Sequence, residues 1–223
     1  MKSLKEMKYL LLDLDGVCYG SHNGYPLEKV FGLVSKRMTL FIQEKLGLDK
    51  KKAKELQRNY FYKYNTSLNG LMLHHNVIGD EFLKYVHDID ISFMKEDKIM
   101  RNELENLNME KFIFTNGSAE HAQNILTRLG IYDLFGKEKV FDIKDAGYVP
   151  KPEAQTFDLM VKKFGIKPKE TIYIEDIAKN LSIGFEKGCT TVWLINDEHF
   201  GKIDSDKDYI SHKIETVSYT HLT

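Results

Sequence analysis

Asp13 and Asp15, in Asp13-Leu14-Asp15-Gly16, follow directly on the apolar run Tyr9-Leu10-Leu11-Leu12. Residues two apart on a strand start on one side, but the chain is leaving the strand here, so the carboxylates can diverge. Two close carboxylates cannot both stay ionised cheaply unless a cation lies between or beside them. A hard ion such as Mg²⁺ takes oxygen ligands of this kind. The pair also permits a division of labour, one group ionised as nucleophile and the other protonated as acid. A plain turn with two solvated carboxylates fits the same letters.

Three further groups have comparable chemistry. Thr115-Asn116-Gly117-Ser118 combines a hydroxyl with backbone N–H groups at a helix start, a phosphate cradle in which Gly117 allows close approach. The same letters also suit a turn with a Ser cap. Lys151, in Lys151-Pro152-Glu153, stands just before a helix, as a fixed charge for a phosphoryl oxygen or as one more surface lysine. Glu175 and Asp176 close the apolar run Thr171-Ile172-Tyr173-Ile174. Adjacent buried acids there need a metal or a lysine to answer them, unless Asp176 is simply a helix cap.

The elements that must position these groups are legible from periodicity. Tyr9–Leu12, Phe112–Phe114, Ile172–Ile174 and Thr191–Ile195 are continuous apolar runs, and each ends in polar residues, the last in Asn196 and Asp197. Such runs separated by helices predict buried parallel strands, whose carboxyl ends bind ligands. Ser118 caps a helix to about Leu129 with Gly130 after it. Pro152 opens another that carries Phe157, Val161 and Phe164 on one face and stops at Gly165. Residues 19–97 break this rhythm. Val30 to Leu46 has helical spacing ending at Gly47, Lys50 to Asn65 predicts a second helix, and a further one starts near Asp80.

Composition excludes several classes. Lys+Arg at 32 against Asp+Glu at 33 gives a net charge of -1, which argues against a nucleic-acid coat or a polybasic membrane anchor. The apolar runs are too short for a membrane span, and the opening MKSLKEMKYLLLDLDG does not read as a signal peptide. Cys18 and Cys189 make no disulfide framework, so the cytoplasm is the expected compartment. Cys18 suits small-residue packing better than nucleophilic attack, since no base accompanies it. His74-His75 lack the spacing of a metal site. Tyr60, Phe61, Tyr62 and Tyr64 suit either a helical core or stacking on a base.

These groups, in this order and at these strand ends, resemble the haloacid dehalogenase-like hydrolase superfamily over nearly the whole chain. The resemblance implies an α/β fold, a Rossmann-like parallel sheet flanked by helices, formed by residues 1–18 and 98–223. An all-α helical cap would occupy residues 19–97. It implies Asp13 as nucleophile toward phosphorus and Asp15 as acid and then base. Mg²⁺ would be held by the Asp13 carboxylate, the Asp15 backbone carbonyl and Asp176, with Glu175 as an additional or outer ligand. Thr115 and Asn116, beside Gly117, would bind phosphoryl oxygens, and Lys151 would offset their charge. Asn180 would orient Lys151 or cap locally. Val17 stands where the family often has Thr. Ile177 stands where a small hydroxyl residue is common, which puts hydrogen bonding at that point in doubt.

Asn59–Tyr64, Leu68–Met72 and Tyr85–Asp90 further resemble the cap of the pyrimidine 5′-nucleotidase branch. The implied partner is a small phosphorylated metabolite, a pyrimidine nucleoside monophosphate, with neither nucleic-acid polymer nor membrane involved. A sugar-phosphate phosphatase or mutase, and a catalytically silent nucleotide-binding protein, remain alternatives. Dehalogenation is disfavoured because it has no use for an acid at Asp15. Monomer and homodimer are both compatible with the sequence.

Overall fold

A computed structural model describes residues 6–195 and 199–215; Asn196 and Asp197, expected at a strand end, lie outside them. In chain order the elements are β1 (Tyr9–Leu12), α1 (Leu27–Leu46), α2 (Lys50–Tyr64), α3 (Ser67–His75), α4 (Gly79–Val86), α5 (Lys98–Asn106) and β2 (Glu110–Phe114). They continue with α6 (Ala119–Arg128), β3 (Val140–Phe141), α7 (Ala154–Phe164), β4 (Thr171–Glu175), α8 (Leu181–Lys187), β5 (Thr190–Leu194) and β6 (His212–Ile214). The strands form one six-stranded sheet in the order β3-β2-β1-β4-β5-β6, with parallel pairings throughout.

The unbroken apolar runs are explained by burial of both sheet faces. Leu10, Leu12, Ile113, Ile172, Ile174, Val192 and Leu194 face one core, closed by Ile125 and Leu126 of α6. Their alternating neighbours Leu11, Phe112, Phe114, Tyr173 and Trp193 face the other, with Phe157 and Met160 of α7. Alternation along each strand sorts the side chains, and both halves are apolar because neither face meets water.

Helices α1 to α4 gather around a third cluster that includes Val34, Phe41, Ile42, Leu71, Phe82 and Val86. Gly47 ends α1 in the left-handed region at φ 65°. Asp49 then caps α2 by accepting from the Lys52 N–H at 2.9 Å. Thr66 caps α3 in the same way. That helix was not distinguished in the sequence, because its apolar residues run without a clear stripe. Helix α4 is fastened to the sheet side. Ile143 joins its cluster, Lys144 Nζ lies 3.2 Å from Asp80, and the Tyr148 ring packs on the bare α-carbon of Gly79.

One local expectation is corrected. Pro152 does not open α7; Glu153 is the N-cap and the helix begins at Ala154, so Pro152 belongs to the preceding turn. The two-residue β3 and the largely exposed β6 lack the long apolar run that marks the other strands. Among the described residues no helix is long and apolar enough to cross a membrane.

Candidate active site

Parallel register brings the predicted residues together. Leu12 of β1 pairs with Ile174 of β4 on one side and Ile113 of β2 on the other. The residues that leave these strands, Asp13, Asp176 and Thr115, therefore emerge side by side at one end of the sheet. The Asp13 N–H still donates to the Ile174 carbonyl at 3.0 Å.

Lys151 is 1% exposed and its ammonium lies at the centre of this group. Nζ donates to Asp13 Oδ1 at 2.7 Å, Glu175 Oε1 at 2.8 Å and the Phe114 carbonyl at 2.8 Å. Burial alone would lower its pKa, but Asp13 and Glu175 outweigh burial and raise it, so the charge is held firmly. Asn180 reaches Lys151 indirectly, donating at 2.7 Å to the same Glu175 oxygen. The Ile177 backbone N–H donates to Glu175 Oε2 at 2.8 Å. Main chain thus supplies the hydrogen bond that an apolar side chain at 177 had put in doubt.

Asp13, Glu175 and Asp176, all buried, each offer a carboxylate oxygen within 4.8 Å of the others. Burial, then the Glu175 and Asp15 charges against the opposing pull of Lys151, push Asp13 up to about 8. Burial, followed by Glu175 and Asp13, raises Asp176 well above the usual range. Three acids against one lysine leave negative charge that a hard divalent cation would satisfy, and the donors are all oxygen. Gly16, at φ +88°, leaves the room that the Asp176 carboxylate occupies; a Cβ there would overlap it. The residues present fit Mg²⁺. Both Glu175 oxygens are already engaged by Lys151, Asn180 and Ile177, which suits support of the cluster better than direct coordination. Trp193 Nε1 donates to the Asp176 carbonyl at 2.8 Å and fixes that corner from behind.

The Asp15 carboxylate is turned away from the cluster. Its Oδ1 accepts from Tyr19 Oη at 2.6 Å and lies 3.0 Å from His121 Nε2. Burial opposes ionisation of Asp15, but the neighbouring His121 and these hydrogen bonds outweigh it and lower the pKa. Beside it, Thr115 Oγ1 accepts from the Gly117 N–H at 2.9 Å, and Asn116 Oδ1 accepts from the Lys151 N–H at 2.9 Å. Ser118 caps α6 by accepting from the His121 N–H at 3.2 Å. A cavity of about 540 Å³ opens over these groups, walled on the helical side by Phe31, Arg58, Phe61, Tyr62 and His87.

Other candidates stand elsewhere. The Cys18 thiol donates to the Asp13 carbonyl at 3.4 Å, and burial raises its pKa first of all, so it is packed and protonated. His74 and His75 pair with Tyr64 and Tyr60 at 2.6 and 2.8 Å, away from the acids. Tyr60 also packs on Gly70 of α3, while Phe61 and Tyr62 line the cavity, so the aromatic run divides between core and site. Tyr19 and His121 carried no readable motif, and His87 entered only as part of the Tyr85–Asp90 cap resemblance. The available signal was a histidine in the first turn of the helix that follows β2.

A parallel sheet with paired acids, a buried lysine and a hydroxyl turn at adjacent strand ends defines an acidic, cation-fitted centre on an α/β core. The chain belongs to the haloacid dehalogenase-like hydrolases, whose family profile matches residues 7–184. It is 24% identical to glyceraldehyde 3-phosphate phosphatase of Methanocaldococcus jannaschii, over 95% of this chain and 94% of that protein. It is 30% identical to phosphate metabolism protein 8 of Saccharomyces cerevisiae over 86% of this chain, and spans 63% of that relative's length. The crystal structure of a phosphatase of the family from Thermococcus onnurineus shares the fold at a TM-score of 0.59, with 19% identity and 94% of each chain covered.

Proposed function

We propose that this hydrolase is a Mg²⁺-dependent phosphomonoesterase working through an aspartyl-phosphate on Asp13. The observation that carries the reading is the convergence of Asp13, Glu175 and Asp176 around Lys151, with Asp15 held apart at the same strand end. Residues 98 onward and 1–18 would form the catalytic core, and residues 19–97 the cap.

In the first step an Asp13 carboxylate oxygen bonds to phosphorus as the bond to the leaving oxygen breaks. Asp15, which its anchors favour as the carboxylate in the free protein, would take up a proton as the phosphate monoester arrives and pass it to that oxygen. In the second step water attacks phosphorus, its proton returns to Asp15, and inorganic phosphate leaves Asp13 free. Thr115 Oγ1 and the Asn116 N–H would grip equatorial phosphoryl oxygens, and Lys151 would orient Asp13 and offset charge. Asp13, Asp176 and the Asp15 carbonyl would hold Mg²⁺, supported by Glu175. The ion's chemistry is neutralisation of phosphoryl charge.

We further propose a nucleoside monophosphate, with a pyrimidine base favoured, as substrate. A cavity of about 540 Å³ bordered by Phe31, Phe61, Tyr62 and Phe200 suits a leaving group with a flat base. A sugar-phosphate substrate is the second reading, favoured by the M. jannaschii relative, which matches along almost its whole length. A phosphate-release panel with Mg²⁺, containing UMP, CMP and glyceraldehyde 3-phosphate, separates them. Preference for UMP or CMP supports the first, and far better turnover of the triose removes it. Asp13→Asn should keep the fold and lose turnover on all of them; retained activity would sink the aspartyl-phosphate scheme.

A further inference from the structure

We infer that His121 is a positioning residue that aims Asp15 at the leaving group, and that His87 holds His121 in place from the helical insertion. The inference rests on the phosphatase reading above. Asp15 uses one oxygen for its anchors. Oδ1 takes both Tyr19 Oη, at 2.6 Å, and His121 Nε2, at 3.0 Å. No described hydrogen bond reaches Oδ2, which faces the phosphate turn, where a Cβ built on Gly117 would lie 3.8 Å from it. Oδ2 is therefore the oxygen presented to the chamber.

The two anchors are not equivalent. Tyr19 is four residues from Asp15 and belongs to the same loop. Buried in the core with Leu12 and Ile113, it fixes the carboxylate from within its own loop. His121 is 106 residues away, on α6, and ties the carboxylate to the element that starts at the phosphate turn. Its ring is 1% exposed and stacks on His87 with centroids 4.3 Å apart and planes 10° from parallel. His87 follows α4, and its Nδ1 lies 3.0 Å from Ser118 Oγ, the atom that also caps α6 at His121. Burial, then His121, lowers the His87 pKa well below its ordinary value, so that ring is neutral and can lie flat against its neighbour. One hydroxyl thus joins the insertion, the helix start and the imidazole that holds Asp15.

Leaving-group dependence tests this directly. An alkoxide needs the Asp15 proton as its bond to phosphorus breaks, whereas p-nitrophenolate leaves without one. His121→Leu should lower kcat/KM on UMP or glyceraldehyde 3-phosphate, whichever is the better substrate, by at least about tenfold. The value on p-nitrophenyl phosphate should fall no more than about threefold, since general acid catalysis contributes some 10²- to 10⁴-fold. p-Nitrophenolate should appear in a burst, because Asp15 must still activate water in the second step. His121→Gln, whose amide nitrogen can stand in for Nε2, should recover most of the loss. His87→Leu should give the same pattern more weakly, and His87→Phe, which keeps a stacked ring, should restore it. Equal losses on both esters, or none on either, would overturn the inference, as would no rescue by His121→Gln in folded protein. Wild-type protein inactive on every ester would instead remove the phosphatase reading, and this inference with it.

Discussion

The α-carbon of Gly16 lies so close to the Asp176 carboxylate that any side chain on it would overlap Oδ2. The glycine's φ of +88° adds a second reason for the absence of a Cβ. Gly16→Ala should displace Asp176 from Asp13 and weaken Mg²⁺ binding by roughly 10- to 100-fold, as loss of ligand positioning does. Calorimetric titration with MgCl₂ measures this, with circular dichroism confirming the fold. Unchanged affinity would mean that Asp176 is not a ligand.

Lys151→Met keeps the length of the side chain and removes its charge. Asp13 and Glu175, both buried, then lose their shared cation. Breaking a buried pair in this way costs about 3–5 kcal/mol. Urea denaturation of metal-free protein should show that loss. A change under ~1 kcal/mol would indicate that the Lys151 ammonium holds no buried anion in the folded chain.

Asp13 sets a pH dependence whose sign follows from its shift. Its pKa, near 4 in an unfolded chain, is pushed up to about 8 on folding, burial being the main cause. The folded state thus holds the proton more tightly. The stability this contributes is fully present at acid pH and is lost as pH rises toward and through about 8. Metal-free protein should show that trend by differential scanning fluorimetry. Mg²⁺ binds the ionised form, so its affinity should climb over the same window and flatten above it. A flat affinity profile would argue that Asp13 is ionised throughout.

Phe61→Ala removes a ring from the cavity wall without touching the acids. On the nucleotide reading, KM for UMP should rise by about 5- to 150-fold, as loss of one stacking partner worth about 1–3 kcal/mol implies. Activity on glyceraldehyde 3-phosphate should change little. Steady-state kinetics on the two substrates decides, and a parallel loss would count against base stacking.

Legibility from the sequence tracked burial and locality. Strands β1, β2, β4 and β5 were readable because both sheet faces are covered, which makes their central residues an unbroken apolar run. The two-residue β3 and the exposed His212–Ile214 strand lack that signature. Caps such as Ser118 and stops such as Gly47 and Gly165 were readable because their chemistry is local. At the candidate centre, Asp13, Lys151, Glu175 and Asp176 stood out as polar residues at strand ends or just before a helix; register brings the acids together, and the turn before α7, tied to Asn116, brings the lysine. Asp15's partners did not stand out. His121 meets it across 106 residues through a pairing no local pattern encodes, and His87 meets His121 only through the packing of the inserted helices.

The sequence contains one tryptophan, and its indole donates at 2.8 Å to the backbone oxygen of Asp176. The protein therefore carries a native fluorophore wired to the acidic cluster. Emission at Trp193 should change as a cation arrives or departs, with no label and no substrate. Stopped-flow mixing would then separate ion exchange from phosphoryl chemistry, which steady-state turnover merges into a single rate.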